Sequence, residues 1–255
     1  MLPRNEIHVW SANVGNSVGN GLAKEQEDAS RMVGLSASEI ARATAMRSSV
    51  HRYEFIESRT ILRQLLQCYL GVAADAITLD VNQYGKPMLG SEHAEALQFN
   101  ISHSGGMAVF SFARHQMVGV DIDRLNRVMQ WESIARRVFS IQEQQTLAAL
   151  PLEQQHEACM RIWIAKEAYT KARGAGFQYG FPHFSVESTS RGAQLLADDK
   201  DVTAVNHWRL LKLDIPWPMA GVVAFEGADN TVVRHRCFDE RLILLPLVDV
   251  AGDAP

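Results

Sequence analysis

The chain has 255 residues, 47% hydrophobic and 21% charged, with a formal charge of −4 and an isoelectric point near 6.1. This composition belongs to a soluble globular protein with enough chain for one large domain or two halves of ordinary size, and the acidic balance excludes a nucleic-acid binder held by a general positive field. Cys68, Cys159 and Cys237 stand far apart without a C-x-x-C pair, which excludes a zinc knuckle and a disulfide framework, and no basic-then-apolar leader or span-length apolar run occurs, so a cytoplasmic protein without a membrane segment is expected.

Glu6 to Val14 alternates apolar and polar residues and predicts an opening strand, followed by a Gly/Asn-rich loop from Gly15 to Gly21. Ser36-Ala37-Ser38-Glu39 is a capping-box pattern and predicts a helix start ahead of Arg42 and Arg47. A second helix is predicted over Phe55 to Leu70, where Ile56, Leu62, Leu65, Leu66 and Tyr69 recur at helical spacing; this puts Arg52, Arg59 and Arg63 on other faces, and Gly71 ends it. A short strand is expected at Ile77 to Val81, then a turn at Tyr84-Gly85-Lys86-Pro87. The run from Phe99 passes through Asn100-Ile101-Ser102-His103-Ser104 into a Gly105-Gly106 bend, and a strand resumes over Met107 to Phe112. Ser102 and His103 thus fall at a strand exit, a usual place for ligand contacts.

Val118-Gly119-Val120-Asp121-Ile122-Asp123 reads as a buried strand carrying two aspartates two residues apart. In a strand, positions i and i+2 share a face, so Asp121 and Asp123 stand side by side while Val118, Val120 and Ile122 point into a core. Adjacent unpaired anions beside a core call for a cation between them, and a hard oxygen site of this kind suits Mg2+ or Mn2+ together with a phosphate-bearing substrate. The bland reading is that each aspartate caps a turn and faces water.

A helix is expected at Val128 to Phe139, a capping box at Ser140-Ile141-Gln142-Glu143 opens another to Leu150, and Pro151 closes it. The longest helical stretch runs from Glu153 to Ala172 and brings Trp163, Glu167 and Lys171 onto one face at i, i+4 and i+8. Taken alone, Glu167 and Lys171 read as an exposed ion pair; Trp163 on the same face argues that this face is packed. Strands follow at Phe184 to Glu187, Trp208 to Ile215 and Gly221 to Phe225, and the apolar tail from Leu242 is expected to pack back on the body. Both segments, 1–117 and 118–255, read as helices packed with short antiparallel strands, which predicts an α+β protein of two halves.

The ordered series Gly85-Lys86-Pro87, Asn100-Ile101-Ser102-His103-Ser104-Gly105, Gly119-Val120-Asp121-Ile122-Asp123, Phe139-Ser140-x-x-Glu143 and Trp163-x-x-Lys166-Glu167-Ala168-x-x-Lys171-x-x-Gly174-x-Gly176 resembles the 4'-phosphopantetheinyl transferases of the single-chain, surfactin-synthetase-activating type. The resemblance covers roughly Ser36 to Phe184. It implies a pseudo-dimer of two similar α+β halves with coenzyme A in the cleft between them. It also implies transfer of the 4'-phosphopantetheine arm of coenzyme A to a serine of an apo acyl or peptidyl carrier protein, with release of adenosine 3',5'-bisphosphate.

By matched position, Asp121, Asp123 and Glu167 resemble the Mg2+ ligands, and Lys171 the lysine that neutralises the diphosphate. Lys166 is expected beside the same site. Ser102 and His103 resemble contacts to the coenzyme phosphates, Lys86 and Pro87 the lining of the nucleotide pocket, Arg59 and Thr60 a basic-polar pair near the nucleotide, and Arg47 a 3'-phosphate contact. The resemblance further implies a monomer acting on a small acidic carrier, for which Arg136 and Arg137 are candidate docking residues. Two positions depart from the pattern: Asp123 stands where glutamate is usual and Phe177 where leucine is. A metal-dependent phosphodiesterase or pyrophosphatase, or a non-catalytic coenzyme-binding protein, would carry some of the same residues.

Overall fold

The computed structural model describes residues 2–15, 32, 34–228 and 230–238. The loop after Gly15 and the apolar tail from Leu242 lie outside the described residues. The sheet of the N-terminal half is built from β1 (Glu6–Asn13), β4 (Gln98–Ser104), β5 (Met107–Ala113) and β11 (Val232–Cys237), in the order β11-β1-β5-β4. The second sheet has the order β6-β10-β9, from β6 (Val118–Arg124), β9 (Trp208–Lys212) and β10 (Met219–Glu226). Two small hairpins, β2 (Leu79–Val81) with β3 (Pro87–Leu89) and β7 (Phe184–Ser188) with β8 (Ala193–Asp198), complete the β-structure of the described residues.

Each large sheet carries one long helix on its outer face. On the first it is α2 (Ser49–Leu70), preceded by α1 (Ala37–Ala45); on the second it is α5 (Leu152–Arg173), preceded by α3 (Trp131–Val138) and α4 (Ile141–Ala148). Both long helices have 22 residues and end on a left-handed glycine, Gly71 at φ 72° and Gly174 at φ 71°, a conformation glycine adopts without a Cβ penalty. Ile61, Leu62, Leu65 and Leu66 of α2 pack on Trp10, Phe99, Phe110 and Phe112. Ala165, Ala168, Tyr169 and Ala172 of α5 pack on Ala220, Val222 and Ala224. Between the sheets lies a third core, where Ile7, Val9 and Val109 of the first meet Val118, Val120, Ile122, Val223 and Phe225 of the second. Strand alternation makes this layering possible, because every central strand has an apolar set on both faces.

Both predicted capping boxes form, and each has a second use. Glu39 accepts from Ser36 N and from Arg63 Nε at 2.8 Å, while Glu143 accepts from Ser140 N and holds Lys166 at 2.7 Å. In each half, then, the capping glutamate of a short helix neutralises a buried cation of the long one. This recurrence supports two similar halves more directly than any sequence repeat.

Several elements differ from expectation. Helix α2 begins at Ser49 rather than Phe55, with Ser48 Oγ accepting from His51 N; its first turns lack apolar periodicity, and the cap supplies the start. Arg63 is not on a polar face but 2% exposed, bonded to Glu39 and to the Ala74 and Ile77 carbonyls. Strand β9 stops at Lys212, and β8 was not anticipated. Nor was β11, which lies in the C-terminal stretch by sequence yet adds parallel to β1 of the first sheet, from Glu6 opposite Val232 to Ser11 opposite Cys237. Arg234 clips this edge by reaching both carboxylate oxygens of Glu6, at 2.8 and 3.0 Å.

Candidate active site

The site begins with Gly119. On β6, Val118, Val120 and Ile122 face the inter-sheet core, and Gly119, Asp121 and Asp123 face α5. The backbone of α5 at Ala168 and Ala172 lies against Gly119 so closely that a Cβ there would meet Ala172 N at 2.2 Å. The small residues of both elements let strand and helix touch, and the two aspartates that follow therefore lie under the helix face bearing Glu167 and Lys171.

Strand β4 approaches β6 from the other side without a backbone ladder to it. Its alternate side chains bridge instead: Asn100 Oδ1 accepts from Val120 N at 3.0 Å, Ser102 Oγ donates to Asp121 Oδ1 at 2.8 Å, and Ser104 Oγ donates to Asp123 Oδ1 at 2.7 Å. Polar residues at period two on β4 thus stitch one half to the other. Lys171 Nζ reaches Asp121 Oδ1 at 2.5 Å and Ser102 Oγ at 3.2 Å. Asp123 also accepts from Arg124 N at 2.8 Å and from Arg127 at 2.7 Å.

The result is a cavity of about 290 Å³ whose wall includes Ser102, His103, Ser104, Asp121, Asp123, Arg127, Trp163, Glu167 and Lys171. Trp163 is backed by Phe177 and Phe181, with ring centroids 6.0 and 5.7 Å away, which accounts for an aromatic on the Glu167 face. Burial raises the pKa of Asp121, against the opposing pull of Lys171. Glu167 has no hydrogen-bond partner for its carboxylate among the described residues, and burial, then the neighbouring Asp121 charge, push it up to about 7. Burial lowers His103, favouring the neutral ring.

The expectation of two unpaired aspartates is corrected by this geometry: each is held by a β4 serine and by one cation. Among the described residues no group of three or more acids, histidines or cysteines stands ready-made around a metal position. The donor chemistry nonetheless fits a hard divalent cation. Three carboxylates line one cavity, and Glu167, without a partner among the described residues, is desolvated beside another buried carboxylate, a cost that a bound cation removes.

The remaining predicted residues divide. Lys86 Nζ donates to the Val118 carbonyl at 3.1 Å, and burial pushes its pKa down to about 8. The turn that carries it docks on the end of α5, with Asn82 Nδ2 donating to the Gly174 carbonyl at 2.7 Å. Pro87 and Arg59 line a second cavity of about 320 Å³ with Glu39, Arg42 and Phe55. Both guanidinium groups lie over the Phe55 ring, Arg42 at 5.1 Å and Arg59 at 5.4 Å, and burial lowers the pKa of Arg59. Arg47 is exposed in the turn between α1 and α2, and Thr60 sits on α2; neither lines these two cavities.

Lys166 does not face the site. A helix turns about 100° per residue, so the neighbour of Glu167 points into the core. It is fully buried, 2.7 Å from both Glu143 oxygens, and donates to the Phe184 carbonyl. Sequence reasoning missed Ser104, Arg127 and Gly119; the alternation Asn100-x-Ser102-x-Ser104 was the available signal for the first.

The profile describing the 4'-phosphopantetheinyl transferase superfamily matches residues 117–224, and one describing a 4'-phosphopantetheinyl transferase N-terminal domain matches residues 27–115. The chain is 35% identical over 176 residues to the 4'-phosphopantetheinyl transferase HetI of Nostoc sp., across 69% of this chain and 71% of that one. The chain therefore belongs to the 4'-phosphopantetheinyl transferase superfamily. It is of the single-chain type: the two profiles follow one another along it, and it is 32% identical over 110 residues to the 4'-phosphopantetheinyl transferase Sfp of Bacillus subtilis, across 43% of this chain and 47% of that one. A solved holo-(acyl-carrier-protein) synthase from Bacillus anthracis, in complex with CoA, aligns at 22% identity with a TM-score of 0.34, covering 44% of this chain and 96% of that one. Among the described residues no helix is long and apolar enough to cross a membrane.

Proposed function

We propose that this protein transfers the 4'-phosphopantetheine arm of coenzyme A to a serine of an apo acyl or peptidyl carrier protein, releasing adenosine 3',5'-bisphosphate. The observation that carries the reading is the meeting of Glu167 and Lys171 of α5 with Asp121 of β6 and Ser102 of β4 in one cavity, in a chain of this superfamily. Asp121, Asp123 and Glu167 would hold Mg2+, or Mn2+ in its place, which when bound supplies charge neutralisation to the diphosphate.

The carrier serine oxygen attacks the phosphorus attached to pantetheine. The anhydride bond breaks, and its electron pair leaves with adenosine 3',5'-bisphosphate. Glu167 lines the cavity with no hydrogen-bond partner for its carboxylate among the described residues and takes the serine proton. Lys171, partly exposed at the same wall, turns an N–H toward the phosphate oxygens as charge moves to the leaving group. Ser102 and His103 contact the phosphates. Lys86 has no carboxylate partner among the described residues and offers its cation to the nucleotide portion, with Pro87, Arg59, Thr60 and Arg47 further along. Lys166 is assigned to support of α5 instead. Arg136 and Arg137, both exposed at the end of α3, are where an acidic carrier helix docks. We place the division between the halves at residues 117/118, with β11 returning from the second segment to the first sheet, and take the protein to act as a cytoplasmic monomer.

The test is the intact mass of an apo carrier protein after incubation with this protein, coenzyme A and Mg2+, beside a tube containing EDTA. One phosphopantetheine should appear on the carrier serine only without EDTA, and Glu167→Gln should bind coenzyme A yet transfer nothing. Coenzyme A hydrolysed with no carrier modified would replace the reading with a phosphodiesterase.

A further inference from the structure

The two aspartates are held in matching ways. Asp121 has Ser102 on one side and Lys171 on the other; Asp123 has Ser104 on one side and Arg127 on the other. Lys171 is already placed at the phosphates by the reading above. Arg127 occupies the corresponding position on the second aspartate, and neither the sequence pattern nor the family comparison gives it a role.

Its setting is that of a ligand-binding group. The backbone is pinned, with Arg127 N donating to the Arg124 carbonyl at 3.2 Å and His156 of α5 meeting the Arg127 carbonyl at 3.0 Å. The side chain is 57% exposed and lines the cavity. Of the five N–H groups on a guanidinium, one bonds Asp123, and the others have no protein acceptor among the described residues. The Asp123 carboxylate is buried, but the Arg127 guanidinium end of the pair is open to solvent, and screening there keeps the pair's contribution to stability small. A planar fork with spare donors is suited to phosphate oxygens, which it can engage two at a time.

Charge gives the reason for an exchange of partners. Asp121, Asp123 and Glu167 share the cavity wall with Lys171 and Arg127, three carboxyl groups to two cations, and each cation is already engaged by an aspartate before any phosphate enters. A diphosphate can be accepted there only if the protein cations turn to it, and the aspartates are then left to share a divalent cation.

Resting on the transferase reading, we propose that Arg127 is a second phosphate-binding cation of this site, parked on Asp123 in the free protein and exchanged onto the coenzyme diphosphate when coenzyme A and the divalent cation bind. Two opposite effects follow from removing it. Without coenzyme, Asp123 loses a competitor, so metal binding tightens. With coenzyme, a charge-assisted contact is lost, so coenzyme binding weakens.

The experiment compares wild type, Arg127→Gln and Arg127→Lys by Mn2+ titration of the coenzyme-free protein, read from the paramagnetic resonance of free Mn2+, and by KM and kcat for coenzyme A from carrier mass. Arg127→Gln should bind Mn2+ about two- to fivefold more tightly, the size of an ion pair screened by solvent on its arginine side, and raise KM for coenzyme A about tenfold or more, the size of a lost charged hydrogen bond. Arg127→Lys, which keeps the charge but not the fork, should leave Mn2+ affinity near wild type and raise KM by less. Unchanged KM in Arg127→Gln, or weaker Mn2+ binding, overturns the inference and makes Arg127 a prop for Asp123. If wild type transfers nothing, the transferase reading falls, and the Mn2+ titration still decides by itself whether Arg127 competes for Asp123.

Discussion

Replacing Gly119 by alanine tests whether the strand–helix contact builds the site. The new Cβ would lie 2.2 Å from Ala172 N, 2.4 Å from Ala168 O and 2.7 Å from Ala172 Cα. All three are backbone atoms, so no rotamer change relieves them. Ordinary contact begins at 3.4 Å, and β6 and α5 must therefore part by 3.4 − 2.2, or about 1.2 Å. Overpacking of this kind costs about 1–3 kcal/mol, which in a chain of this size lowers Tm by about 2–4 °C per kcal/mol. The effect on chemistry is larger, because the displacement opens between Asp121 on one element and Glu167 and Lys171 on the other, and a misplacement of about 1 Å can cost about a hundredfold in rate. Transfer rate by intact mass and a thermal melt, measured together, separate the two effects. A rate loss of about a hundredfold in a protein still folded at the assay temperature is expected. Gly119→Ala that melts lower but transfers at the wild-type rate would refute the claim that this contact sets the geometry.

Lys166→Met leaves the Glu143 carboxylate buried without its cation, and breaking a buried pair in this way costs about 3–5 kcal/mol; the melting temperature reads it, and a variant that melts like wild type would return Lys166 to the coenzyme site. Lys86 carries a pH prediction. Burial holds its pKa at about 8 against 10.5 in an unfolded chain, so between those values the unfolded state binds the extra proton and stability rises with pH. Below about pH 8 the buried ammonium is charged in both states and its desolvation works against folding. Lys86→Met should accordingly melt above wild type at pH 7 without coenzyme, with the difference shrinking toward pH 10. A difference independent of pH would show that the Lys86 ammonium is well solvated.

Much of the site was legible along the chain because strand and helix periods are local properties. The i, i+2 spacing put Asp121 and Asp123 on one face, the i, i+4 spacing joined Trp163, Glu167 and Lys171, and two capping boxes announced their helices. The α+β class could be read for the same reason. Three-dimensional packing decided the rest. Whether a charged residue faces a cavity or a core depends on which surface its helix meets: Lys166 and Arg63 turned inward to capping glutamates far away in sequence. Strand β11 crossed back to the first sheet, a pairing that no local pattern encodes. The contact of Gly119 with Ala168 and Ala172 brings residues about fifty positions apart to backbone distance, and the complementarity of a missing side chain to a helix surface exists only once both are folded.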